Sequence, residues 1–193
     1  EVFLAAGVPT ARATHAVVRI NERKLGLYVL KEGFDRTFLA RHFDRTDGNL
    51  YDGGFIMDID DPLELDEGDP ATNRADLHAL TEAAYERDPV RRLERLDALL
   101  DVDRFLSFAA LEMMLCDWDG YVEKHNNYRL YFDPSGGKAV FIPHGKDQLF
   151  EWAGYPLLPS GGGLVARQLL GLPEMRERCV QRLETVVHTI FSV

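Results

Sequence analysis

From Phe105 to Cys116 the chain reads FLSFAALEMMLC, and Glu112 is its one charged residue. A helix that is apolar nearly all round cannot lie on a surface, so this one runs through the core and the rest of the chain packs around it. A buried helix is also a rigid mount, and what leaves its C-terminal end is DWDG, Asp117 to Gly120. Two more helices precede it by pattern, RADLHALTEAAYERD and PVRRLERLDALL; Pro89 suits a first turn, and Asp101 or Asp103 caps the buried helix. With 193 residues, 46% of them apolar, the chain can cover such a helix within one core.

Ahead of these helices the pattern changes. EVFLAAGVP reads as a helix stopped by Gly7 and Pro9, and the β-rich runs HAVVRI and LGLYVLKE, joined by the polar NERK, read as a hairpin. On its second strand Leu25, Leu27, Val29 and Lys31 share one face while Tyr28, Leu30 and Glu32 share the other, because successive side chains alternate. FDRTFLARHF has the spacing of a short helix. The acidic stretch DIDDPLELDEGDPATN, residues 58–73, reads as a solvated loop, since it lacks the ligand spacing of a calcium loop. Gly161 to Gly163 lack the GK[ST] ending of a phosphate loop and read as a flexible linker.

The 32 acidic and 22 basic residues leave a formal charge of −10, which repels phosphate backbones and argues against a nucleic-acid surface. Cys116 and Cys179 are too few for a disulfide scaffold and too far apart for a metal knuckle, so both are expected as buried free thiols. No run of 18 apolar residues offers a membrane span. The chain starts without Met and is read as a piece of a longer protein, so a missing leader leaves the compartment open.

Chemistry concentrates after the buried helix. YRLYF and KAVFI, joined by DPSGG, form a second hairpin, taken as residues 127–143. Pairing Phe132 with Lys138 sets Asn127 opposite Pro143, so Asn127 and Asp147 meet at the open end, where the helix also delivers Asp117 and Asp119. Two or three carboxylates and a carboxamide are hard oxygen donors that suit Mg²⁺ or Mn²⁺ rather than zinc, with one carboxylate left as a base. A base Asp, then an Asn, a hairpin and a metal-binding Asp is the order that phosphoryl transfer uses in protein kinases. Taken singly, Asp119 before Gly120 also suits an Asx turn, and Asn126 or Asn127 a capped strand start. His125 reads as a solvated bystander.

Two blocks, VVRINERKLGLYVLKEGFDRTFLARHFDRTDGNLYDG and DWDGYVEKHNNYRLYFDPSGGKAVFIPHGKDQLF, resemble the most recognisable segments of the spore coat protein H (CotH) kinase-like family, over most of residues 2–155. The resemblance implies an α+β, divergent protein-kinase-like fold over residues 1–193, with a β-rich part to residue 70 and a helical part from 71 that carries the catalytic hairpin. It implies an atypical kinase that transfers phosphate from Mg-ATP (or Mn-ATP) to serine or threonine of coat, surface or secreted proteins, located in an envelope, spore coat or extracellular setting. Asp119 would be the catalytic-loop aspartate, Asn127 and Asp147 the metal ligands, and Lys31 or Glu32 part of the nucleotide-side ion-pair system. The acceptor would be a Ser-rich protein.

Two positions depart from that family. Gly145 stands where many members have the first acid of a Trp-Asp-x-Asp run, and Asp52 stands where many have lysine after LY; Lys146 or His144 is placed to compensate. The alternative function is therefore a degenerate module that binds a surface or coat protein without chemistry. A metal-dependent phosphoesterase ranks third, because only His125 and His144 lie nearby as extra ligands.

Overall fold

The computed structural model describes residues 1–151, 153–158 and 161–191. After a short helix α1 (Val2–Ala5), strands β1 (Ala13–Ile20) and β2 (Arg23–Lys31) form the first hairpin. Asn21 and Glu22 close it in left-handed backbone, φ 46° and 66°, as a two-residue turn between twisted strands requires. This hairpin is a sheet of its own, and Val17, Leu27, Val29 and Leu30 leave both of its faces exposed.

The second sheet has the order β4-β3-β5-β6, antiparallel throughout, from β3 (Leu50–Asp52), β4 (Glu64–Glu67), β5 (Tyr128–Asp133) and β6 (Lys138–Pro143). Its outer pair comes from the first 70 residues and its hairpin from far along the chain, so one sheet joins the β-rich and helical parts. Alternation along the strands serves two cores. Tyr128, Leu130, Ala139 and Phe141 face the larger one, while Tyr131, Val140 and Ile142 pack with Phe38 and Leu39 of helix α2 (Arg36–His42) on the other side.

Helices α3 (Ala75–Ala84), α4 (Pro89–Leu99), α5 (Val102–Met114), α6 (Tyr121–Lys124), α7 (Leu164–Leu170) and α8 (Pro173–Ile190) cover the larger core. Helix α5 is the buried one, with every residue from Phe105 to Met113 inside. Its Phe105 and Phe108 meet Phe141 at 5.0 and 5.8 Å between ring centroids, and Tyr121 and Tyr128 complete the aromatic cluster. Aromatic packing of this kind adds to plain burial and fixes α5 on the hairpin. Asp101 caps α5 by accepting from Arg104 N–H, whereas Asp103 turns outward to Arg178 and Arg182. The α+β class is as expected.

Four local expectations need correction. The hairpin register is one residue off: Asp133 pairs with Lys138 and Tyr128 with Pro143, because Asp133 stays in the ladder, accepting from Gly137 N–H at its carbonyl and Ser135 N–H at its side chain. Asn127 therefore faces His144, whose N–H it accepts at 2.9 Å. The acidic stretch is not all solvated loop, since Glu64–Glu67 is a strand on β3 and Asp58 is buried. Asp58 accepts from Tyr121 Oη and from the N–H groups of Ile59 and Leu164, anchoring the start of α7. Gly162 and Gly163 are no free linker: Gly162 N–H donates to Val122 carbonyl, and a side chain at 162 would overlap the Glu123 carbonyl. Pro159 and Ser160 of that stretch lie outside the described residues. Cys179 is buried and free, while Cys116, which sits just past α5 with φ 56°, is only half-buried.

Candidate active site

The chain leaves α5 at Met114 and turns sharply, with Asp117 N–H donating to Glu112 carbonyl at 2.8 Å. The Glu112 carboxylate, on the last turn of α5, reaches under the next loop and accepts from the N–H groups of Tyr121 and Val122 at 3.2 and 2.9 Å. Gly120 packs on it so closely that a Cβ would come within 2.6 Å, so any larger residue there would have to displace the Glu112 carboxylate from its bonds. The one charged residue of the apolar run is therefore what shapes the DWDG loop.

That loop presents Asp119 to both asparagines. Asn126 Nδ2 donates to Asp119 Oδ1 at 3.1 Å; Asn127 Nδ2 donates to Oδ2 at 2.8 Å and to the Asp119 carbonyl at 3.1 Å. Two amides leave each carboxylate oxygen with further accepting capacity, and the double grip on Asp119 fixes its direction. Asn127 has φ 53° and Gly145 φ 55°; a Cβ at 145 would overlap Asn127 Oδ1, so this turn is built around glycine where the family pattern places an acid. Asp147 follows, exposed. Burial raises the Asp117 carboxyl above the usual aspartate range, opposed by Lys146, and the charges of Asp119 and Asp147 raise it further.

The expected pooling of Asp117 with the other acids does not hold. Asp117 is buried, and its carboxylate pairs with Lys146, which also reaches Glu112 at 2.6 Å. The donor set left at the open end is Asp119, Asn127 and Asp147; among the described residues no three His, Cys, Asp or Glu form a metal cluster. Two carboxylates and an amide oxygen are nonetheless the hard donors with which a protein holds Mg²⁺ when phosphates and water complete the shell. In donor chemistry, these residue types suit that ion.

Lys31 and Glu32 take different partners, as alternation requires, and among the described residues neither bonds to Asp119, Asn127 or Asp147. Glu32 binds Arg41 of α2 and, at 3.0 Å, both the N–H and guanidinium of Arg12. Burial alone would raise Glu32, but those donors outweigh it and hold the carboxyl at about 2, below the ordinary 4.5. Because the folded value is depressed, the stabilisation is complete above pH 4.5 and fades as pH falls towards 2. Acid unfolding followed by circular dichroism is expected to be less steep over that window in Glu32→Gln, which should also melt lower at neutral pH. Lys31 lies 4.2 Å above the Phe34 ring, and burial, followed by Arg129, lowers its pKa.

Neither candidate compensates for Asp52. Lys146 points inward, and His144 is pushed down to about 4 by burial and by Lys31 and Arg129, so it is neutral at pH 7. Asp52 instead pairs with Arg129, its cross-strand neighbour, at 2.6 Å; Arg129 Nε also lies 3.0 Å from Asp66, without an aligned hydrogen bond. His125 is half-buried in left-handed backbone at the end of α6 and has no hydrogen bond at Nδ1 among the described residues, so it is not the solvated bystander expected.

The α+β fold thus sets a doubly held aspartate and an asparagine at the open end of a hairpin, with Asp147 on the segment that leaves it. The family model for the CotH kinase protein matches residues 1–193, and the chain belongs to that family. Two similar proteins from Rhizopus delemar are spore coat protein homolog 1, 26% identical over 172 residues, and invasin CotH7, 25% identical over 171. Each alignment covers 75% of this chain, and the chain spans 27% and 28% of the length of these relatives.

Proposed function

We propose that the protein is a Mg-ATP-dependent phosphotransferase acting on serine or threonine hydroxyls of a Ser-rich coat, surface or secreted protein. The observation that carries this reading is Asn127 bridging the carbonyl and carboxylate of Asp119, a base and a neighbouring amide oxygen locked in one geometry. Asp119 would orient the acceptor hydroxyl and take its proton. Asn127 and Asp147 would hold the Mg²⁺, which, when bound with ATP, would neutralise the transferred phosphate. Catalysis by positioning needs such a site to be rigid, and the buried α5 supplies the rigidity. The names of the two relatives suggest a coat or cell-surface setting, and none of the described helices is long and apolar enough to cross a membrane. Asp147→Asn is expected to abolish Mg-ATP binding by calorimetry; unchanged affinity would sink the assignment.

A second reading rests on the Asp52–Arg129 pair and the glycine-built turn at 145. With Arg129 shared between Asp52 and Asp66, and His144 neutral, the positive side of a nucleotide pocket is weak. A chain that keeps the framework to bind a surface or coat protein would show this pattern. Labelled ATP with Mn²⁺ and a Ser-rich acceptor separates the two: no incorporation favours the binding module.

A further inference from the structure

Glu112, Asp117 and Lys146 come from the last turn of α5, the loop after it and the segment beyond β6. The Lys146 ammonium lies 2.6 Å from Glu112 Oε1 and in ion-pair contact with Asp117 Oδ2. Its side chain is 15% exposed and theirs 1% each, with the Phe3 and Phe108 rings 5.8 and 5.7 Å from the nitrogen. Two buried carboxylates converging on one point repel each other unless a cation sits between them. Proteins commonly meet that need with a divalent ion held by oxygen ligands. Here a side chain meets it, and that side chain precedes Asp147 while one of its partners lies two residues before Asp119.

We propose that Lys146 is a resident cation, its ammonium occupying the place a divalent ion would take between Glu112 and Asp117, and that it thereby ties the segment carrying Asp147 to the loop carrying Asp119. It is a positioning residue. The positioning half rests on the phosphotransferase reading; the cation half does not.

The test uses Asp147→Asn as background, which removes the carboxylate proposed for the nucleotide's metal. Lys146→Ala in that background is expected to melt well below its parent and to regain most of the loss in millimolar Mn²⁺, binding one Mn²⁺ per chain that the parent does not bind. Adding Glu112→Gln should remove the regain. A Lys146→Ala variant that melts with its parent, or that gains no more from Mn²⁺ than the parent does, overturns the proposal. If it does not fold even with Mn²⁺, Lys146→Arg and Lys146→Gln decide: retention of folding by Arg alone is expected, and equal behaviour of the two overturns it. With Asp147 intact, Lys146→Ala should weaken Mg-ATP affinity about 10–100-fold, the usual cost of losing support behind a metal ligand. Unchanged affinity in a folded variant defeats the positioning half, whereas a wild-type chain that binds no Mg-ATP defeats the phosphotransferase reading and leaves the Mn²⁺ result to judge the cation.

Discussion

Glu112→Ala is expected to destabilise the protein by about 3–5 kcal/mol, the range for breaking a buried ion pair from one side. The loss has two sources. The Tyr121 and Val122 N–H groups lose their acceptor inside the core, and Lys146 keeps Asp117 as its only carboxylate partner among the described residues. For a chain of this size each kcal/mol moves the melting temperature by roughly 2–4 °C, so calorimetry should register a fall of about 10 °C. Glu112→Gln keeps the shape and an acceptor oxygen, and it should cost less. Burial raises the Glu112 carboxyl above the usual glutamate range, and the Lys146 ammonium opposes that rise.

Asp119→Ala is expected to lower phosphotransfer by about 10²–10⁴-fold, the usual worth of a positioned acid or base, with folding largely kept. Its side chain is only half-buried and touches Asn126 and Asn127 rather than the core. Initial rates with Mg-ATP and a Ser-rich acceptor, read beside the melting temperature, check both halves of that statement. Incorporation that persists in the variant would count against the site. Glu112 and Asp119 thus separate the two jobs of this region: one holds the loop, the other uses it.

What was legible in the sequence is what local pattern controls. The all-round apolar run from Phe105 demanded a buried helix, and alternation in YRLYF and KAVFI demanded a hairpin; both are present. Asp119 and Asn127 were readable as neighbours because a helix end and a strand start bracket them within nine positions. The register differs by one from the sequence expectation because DPSGG has several ways to turn, and whether Asp133 stays in the ladder depends on its own bonds to Ser135 and Gly137. Composition puts Asp58 in solvent because it speaks for the average of a segment; one member of an acidic run can be drawn inside by Tyr121 and Leu164, far along the chain. The Glu112–Asp117–Lys146 cluster is not legible from local pattern. Its signal is a lone acid in an apolar helix that must find a cation, but the partner's identity is a long-range fact.

The shared sheet has a kinetic consequence. The hairpin that carries Asn127 can form early from neighbouring residues, yet its partner β3 lies far up the chain: Gly48 N–H and Arg45 carbonyl meet Tyr131 Oη across 83 and 86 positions. Closing so long a loop precedes the reward of pairing, which slows folding. Until it closes, β5 presents an open edge of Leu130, Tyr131 and Phe132 to other chains, so refolding from denaturant should give its best yield at high dilution.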